Sequence, residues 1–287
     1  MDAFYEPDFL WKKSELRVCF GSREEAAHTQ ILSTGFPERA LDLLEPFPKT
    51  VRNHIRRVVE SAYRTSTTHI RFVGWQNCPT PFETSDVDVI LLGFPVSKEI
   101  SKRFDYSFPS GRASVGLSNW EGTALENSSL RPFVFLDLGE FESEPGYVQN
   151  DFDFTVLHEF GHVLGLRHEH LSPRFAGDPF CRHSSHPPHN TEKSWPHTAS
   201  VGPYDPFSIM SYCLGDWMYE QHSDEFTLTE TDREALDGRF DEFVLKTISE
   251  GKYRWSPTLS RDDRNTLQAM YPAPARYSIW PDARRDR

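Results

Sequence analysis

Between residues 158 and 168 the chain reads His158-Glu159-Phe160-Gly161-His162 and then, after Gly165, His168. On a helix, positions i and i+4 share a face, so the imidazoles of His158 and His162 can reach one ion. Glu159 sits one residue on, rotated by about 100°, where its carboxylate addresses a water molecule rather than the ion. Gly165 permits a left-handed turn that ends the helix and returns His168 as a third ligand. Three neutral imidazoles with a fourth position left for water is the pattern of catalytic zinc. A structural site closes that position with a fourth protein ligand, usually with cysteine present. The expectation is one Zn2+ per chain, held by His158, His162 and His168, with Glu159 as general base. Chance supplies such a pattern on the order of 10⁻⁴ times in a chain of this composition. The competing explanation, incidental histidines on an ordinary amphipathic helix, has to absorb that coincidence.

Other candidate ligands carry less. His170, His183, His186, His189 and His197 are irregularly spaced, the last four in a stretch (172–206) that holds seven prolines. That composition favours a long loop with solvated histidines over a second metal site. Cys19, Cys78, Cys181 and Cys213 are far apart and form no CxxC pair, which excludes a four-cysteine zinc ribbon and a thioredoxin-like dithiol. Reduced thiols and one or two disulfides stay equally open, and Cys213 reads as a small buried apolar residue.

The elements that must position the histidines are legible in outline. A strand-like run spans Glu15 to Phe20. Thr50 has the character of a helix N-cap, and behind it Val51, Ile55, Val58, Val59 and Ala62 form a helical stripe. Short β-rich runs follow at His69 to Trp75, Val87 to Phe94, Ala113 to Asn119 and Pro132 to Leu138. A helix followed by several strands implies a twisted sheet with helices on one face. The histidine helix is expected to begin near Asn150 or Asp151 and to stop at Gly165. Thr229 with Asp232, and Ser260 with Asp263, each have the spacing of a capping box at a helix start.

With 287 residues and 14% aromatics, the chain is long and apolar enough for a sizeable core. Its 31 basic against 43 acidic side chains give a net charge of -12, which argues against a broad nucleic-acid surface. No apolar run approaches the ~20 residues of a membrane-spanning helix, and no signal-peptide core is visible near Met1. A cytoplasmic protein, export by another route and a removed leader all fit that pattern.

His158-Glu159-x-x-His162-x-x-Gly165-x-x-His168 resembles the zinc signature of the metzincin metallopeptidases, and Glu169 directly after it resembles the astacin family. Ser208-Ile209-Met210-Ser211-Tyr212 is similar to the astacin Met-turn. The resemblance extends over roughly residues 14–272 and is specific at 158–169 and 208–212. It implies a zinc-dependent metalloendopeptidase of α+β class, with a single two-lobed catalytic domain over residues 1–287. The upper lobe (about 14–165) would hold a mixed twisted sheet and two helices. The lower lobe (about 166–272) would be mostly irregular and end in a helix, followed by a basic tail at 273–287. The zinc helix would floor the cleft between the lobes. By the same resemblance Met210 lies beneath the ligands, and Tyr212 is a detachable fifth ligand that stabilises the transition state. A peptide substrate would lie extended along an edge strand, for which Ala113 to Asn119 is the candidate. The alternative from another class is a catalytically inactive zinc-containing peptide-binding protein. It predicts loss of the general base, yet Glu159 is present.

Overall fold

The structure is a computed structural model. It describes residues 3–5, 10–29, 31, 36–44, 47–64, 68–80, 86–94, 111–114, 116, 130–138, 147–169, 180, 199–201, 204–214, 225–236, 241–242 and 244–272. In chain order the elements begin with β1 (Ala3–Tyr5), β2 (Glu15–Phe20), α1 (Arg23–Ala26), a 3-10 turn (Glu38–Leu43) and α2 (Lys49–Ala62). Then come β3 (Arg71–Asn77), β4 (Val89–Phe94), β5 (Gly111–Ala113), β6 (Phe133–Asp137) and α3 (Tyr147–Val163). The last are β7 (Ala199–Val201), β8 (Glu225–Thr227), α4 (Glu230–Ala235), β9 (Leu245–Ser249), β10 (Lys252–Trp255) and α5 (Arg261–Met270).

The protein is a mixed α+β structure built on a five-stranded mixed sheet of order β3-β2-β4-β6-β5. β2, β3, β4 and β6 run parallel, and β5 pairs antiparallel with β6 at the edge. Strand periodicity sorts side chains to the two faces. Leu16, Val18, Phe20, Val89, Leu91, Val134 and Leu136 join the core that contains α2 and α3. Ile90, Leu92, Phe94, Phe133 and Phe135 join a second core with Ile31, Phe36 and Leu41. The sheet is therefore covered on both faces, not on one. That is why β4 is a continuous apolar run rather than an alternating one.

The expected elements are present with shifted bounds. α2 starts at Lys49 behind Pro48 rather than at a Thr50 cap, and no side chain caps it. α3 starts at Tyr147, so Asp151 and Asp153 lie beyond its first turn. The edge strand occupies Gly111–Ala113 instead of starting at Ala113. Positions 115 and 117–119 of the expected run fall outside the described residues, as does most of 172–206.

α2 packs its Val51, Ile55 and Val59 stripe against the core it shares with α3. α3 buries Phe152, Val156, Leu157, Phe160 and Val163, and its carbonyls find aromatic donors. Tyr63 Oη donates to the Leu157 carbonyl at 2.5 Å, Trp11 Nε1 to Val163 at 2.7 Å and Tyr271 Oη to Leu164 at 2.7 Å. For Val163 and Leu164, at the end of the helix, such donors replace the intrahelical partners that the last carbonyls lack. Residues from the N-terminal segment, α2 and the C-terminal end thus converge on the histidine helix.

A further apolar cluster gathers Phe180, Tyr204, Phe207, Cys213, Leu214, Phe226, Leu228, Val244, Leu245 and Trp255 around the small sheet β8-β10-β9. α4 and α5 both start with complete capping boxes, on Thr229/Asp232 and Ser260/Asp263. Cys19 is disulfide-bonded to Cys78, and Cys213 is also disulfide-bonded, which corrects its reading as a simple apolar residue. Among the described residues, no helix is long and apolar enough to cross a membrane.

Candidate metal centre

α3 carries His158 and His162 on one face, one turn apart, and the turn that follows it reaches Gly165 with φ +95°. That left-handed conformation favours glycine, and it turns the chain so that His168 faces back toward the helix. Gly161 serves the same site by having no side chain. A Cβ there would lie 2.6 Å from Met210 Sδ, well inside carbon contact distance. The fully buried Met210 therefore packs directly under the histidine helix.

Three imidazoles meet. His162 Nε2 lies 2.8 Å from His168 Nε2, which lies 3.1 Å from His158 Nε2. The other nitrogens decide the tautomers. His158 Nδ1 is 2.8 Å from the Ile209 carbonyl, and His162 Nδ1 is 2.8 Å from the Leu166 carbonyl. A carbonyl only accepts, so both Nδ1 atoms carry the proton and both Nε2 atoms present lone pairs. Neutral imidazoles held in this way cannot satisfy one another: two of the three converging nitrogens have no proton to share. A cation at their common focus satisfies all three. His158, His162 and His168 are the group among the described residues able to hold a metal ion in this manner. The Nδ1–carbonyl bonds are the outer partners that ordinarily orient such ligands.

Glu159 points elsewhere on α3. Its side chain is buried, and its Oε2 has no hydrogen-bond partner among the described residues. Burial pushes its pKa up to about 8, against the opposing influence of the Arg112 guanidinium. A nearby dication favours the carboxylate and opposes that shift. The donor set, three imidazole nitrogens with no thiolate among them, therefore fits zinc.

Tyr212 lies against the same histidines, its ring 4.2 Å from that of His168 and 5.2 Å from that of His158, centroid to centroid. The turn it follows is tied to the ligand loop, since the Glu169 N–H donates to the Met210 carbonyl at 3.1 Å. The structure thus gathers His158, His162, His168 and Tyr212 at one place, with Glu159 on the same helix. His170, His183, His186, His189 and His197 fall outside the described residues.

Two neighbours, Gly111 and Arg112, escaped the sequence reading. The edge strand β5 runs beside α3, and the N–H of Gly116, just beyond it, donates to the His162 carbonyl at 2.8 Å. Gly111 on that strand has Glu159 directly over its Cα, where a Cβ would stand 2.7 Å from both Cγ and Oε1. Arg112, next along, supplies positive charge to Glu159. Neither has a signal in sequence, because strand–helix proximity appears only on folding.

No family profile matches the sequence, and no curated protein matches it either. Solved structures with a detectable likeness include two of myroilysin. One shares 15% identity at a TM-score of 0.44, covering 94% of this chain and 99% of its own. The other shares 13% at 0.39, covering 92% and 86%. A GM1-bound AB5 holotoxin shares 11% at 0.42, covering 94% and 88%. Superpositions this loose assign neither chemistry nor family.

Proposed function

We propose that this chain is a zinc-dependent metalloendopeptidase of the astacin-like metzincin type, with one catalytic domain whose lobes divide near residue 165. The observation that carries the proposal is the convergence of three imidazole Nε2 atoms, two of them fixed as lone-pair donors by carbonyls on their Nδ1 side. His158, His162 and His168 hold the metal, and zinc there supplies Lewis acidity that acidifies water and polarises a carbonyl. Glu159 accepts the proton that water releases as its oxygen bonds to the scissile carbonyl carbon. It passes that proton to the amine nitrogen as the C–N bond breaks. Tyr212, whose ring packs against His158 and His168, donates its hydroxyl proton in a hydrogen bond to the developing oxyanion. The outer edge of β5, which ends the sheet among the described residues beside α3, receives an extended peptide by strand addition. The disulfide-bonded Cys19, Cys78 and Cys213 fit work in an oxidising compartment.

Metal analysis and peptide digestion test the reading together. The expected result is one zinc per chain, lost from the His158→Ala, His162→Ala and His168→Ala variants. Glu159→Gln, nearly isosteric, should keep the zinc and lose ~10²–10⁴-fold in kcat. Zinc retained in all three histidine variants would refute the metal centre. Undiminished cleavage by Glu159→Gln would refute the assigned base.

A further inference from the structure

Two buried carboxylates that the proposed reaction leaves unused lie under the turn at residues 208–210. Asp263, in the first turn of α5, is 1% exposed. Its Oδ2 accepts the Ser260 N–H at 2.9 Å, which completes the helix cap. The same oxygen accepts the Ile209 N–H at 2.9 Å, and Oδ1 accepts the Ser208 hydroxyl at 2.7 Å. Ser208 Oγ in turn accepts the Met210 N–H at 3.0 Å. One side chain therefore caps the last helix and fixes the backbone of a turn more than fifty residues earlier.

That turn reaches a ligand of the metal centre directly. The Ile209 carbonyl, on the residue whose N–H is bonded to Asp263, accepts the Nδ1–H of His158 at 2.8 Å. Asp263 anchors this turn at two points, accepting the Ser208 hydroxyl and the Ile209 N–H. Its neighbour Asp205 accepts the Ser260 hydroxyl at 2.5 Å and the Phe207 N–H at 2.9 Å. Burial and the nearby Asp263 push the Asp205 pKa up to about 8. Burial pushes the Asp263 carboxyl up as well, and the hydrogen bonds from Ser208, Ile209 and Ser260 oppose that rise.

We propose that Asp263 is a positioning residue for the metal centre: through Ser208 and Ile209 it fixes the carbonyl that orients His158, so that its loss loosens the site without removing a ligand. This rests on the reading of the three histidines as zinc ligands. Partners that orient a ligating histidine directly are typically worth ~10–100-fold in metal affinity. Asp263 acts one bond further out, so about tenfold is expected.

The test measures zinc dissociation constants by competition with a chromophoric chelator, and the visible spectrum of the cobalt-substituted protein. Wild type, Asp263→Ala, Asp263→Asn and Ile90→Ala are compared. Ile90 belongs to the core on the opposite face of the sheet, so its truncation lowers stability without touching the turn. Asp263→Ala should bind zinc about tenfold more weakly and shift the cobalt bands. Asp263→Asn keeps an acceptor for the two N–H groups and should recover most of the loss. Ile90→Ala should match wild type in both readouts. Wild-type affinity and spectrum in Asp263→Ala overturn the proposal, and so does an equal loss in Ile90→Ala. If Asp263→Ala does not fold, the cobalt bands of Asp263→Asn decide: shifted bands support the proposal and wild-type bands end it. A wild-type chain that takes up no zinc removes the metal-centre reading itself. Tight wild-type binding matched by Asp263→Ala removes this inference alone.

Discussion

Replacing Gly111 with Ala adds one methyl group on the edge strand, and the structure fixes where it goes. The new Cβ would stand 2.7 Å from Cγ and Oε1 of Glu159 and 2.6 Å from the Thr155 methyl. Carbon atoms prefer ~3.5–4.0 Å, so one side must give by about 0.8 Å or more. Gly111 is not among the residues of positive φ, so alanine is compatible with its backbone and the contact alone is altered. Its strand is held by β6, with Gly111 opposite Leu136, and Thr155 and Glu159 stand on α3. The softest member of the contact is the Glu159 side chain, which must leave its present rotamer. A misplacement of about 1 Å in a catalytic group can cost ~10²-fold, equivalent to about 2.7 kcal/mol of transition-state stabilisation. The histidines are untouched, so zinc content should stay at one per chain. Steady-state kinetics on a quenched peptide, with zinc measured on the same sample, should show kcat lowered about 100-fold at full metal occupancy. Wild-type kcat in Gly111→Ala would falsify the claim that this strand sets the position of Glu159. Loss of zinc in step with activity would refute it differently, by showing that the methyl disturbs the ligands.

Two other outcomes are expected. Tyr212→Phe keeps the ring that packs on His158 and His168 and removes only the hydroxyl; kcat should fall ~10²–10³-fold with little change in KM, whereas unchanged turnover would reduce Tyr212 to a packing residue. Asp205 has a folded pKa of about 8 against an ordinary value of 3.8, so between those limits the folded chain holds a proton that the unfolded chain releases. Its contribution to stability is then fullest below the ordinary carboxyl range and is lost as pH rises toward 8, with a slope of at most about 1.4 kcal/mol per pH unit. Asp205→Asn cannot ionise, so urea denaturation from pH 5 to 8 should show the variant gaining on wild type as pH rises; parallel curves would contradict the protonated Asp205.

The histidine pattern was readable because its geometry is local. Helical spacing alone puts His158 and His162 on one face, and Gly165 marks where the chain can turn to bring in His168. Helix starts at Thr229 and Ser260 were legible for the same reason, since a capping box is a four-residue event. Strand bounds were less so, and the edge strand came two residues earlier than its apolar run suggested. Pairing with β6 and proximity to α3 define that strand, more than its own side chains do.

Short-range pattern thus determined which residues meet around α3, because their relative placement is set by helix pitch and one left-handed turn. Tertiary structure alone decided what surrounds them. Gly111 faces Glu159 from a strand some fifty residues away, and the Ile209 carbonyl fixes the tautomer of His158 from fifty-one residues away. Asp263 holds that turn from a helix later still, although the sequence marked it only as a cap. Both faces of the sheet are covered because β4 and β6 divide their apolar side chains between two cores. Such contacts depend on how whole elements pack, where burial and close approach choose the partners, and no local spacing along the chain encodes them.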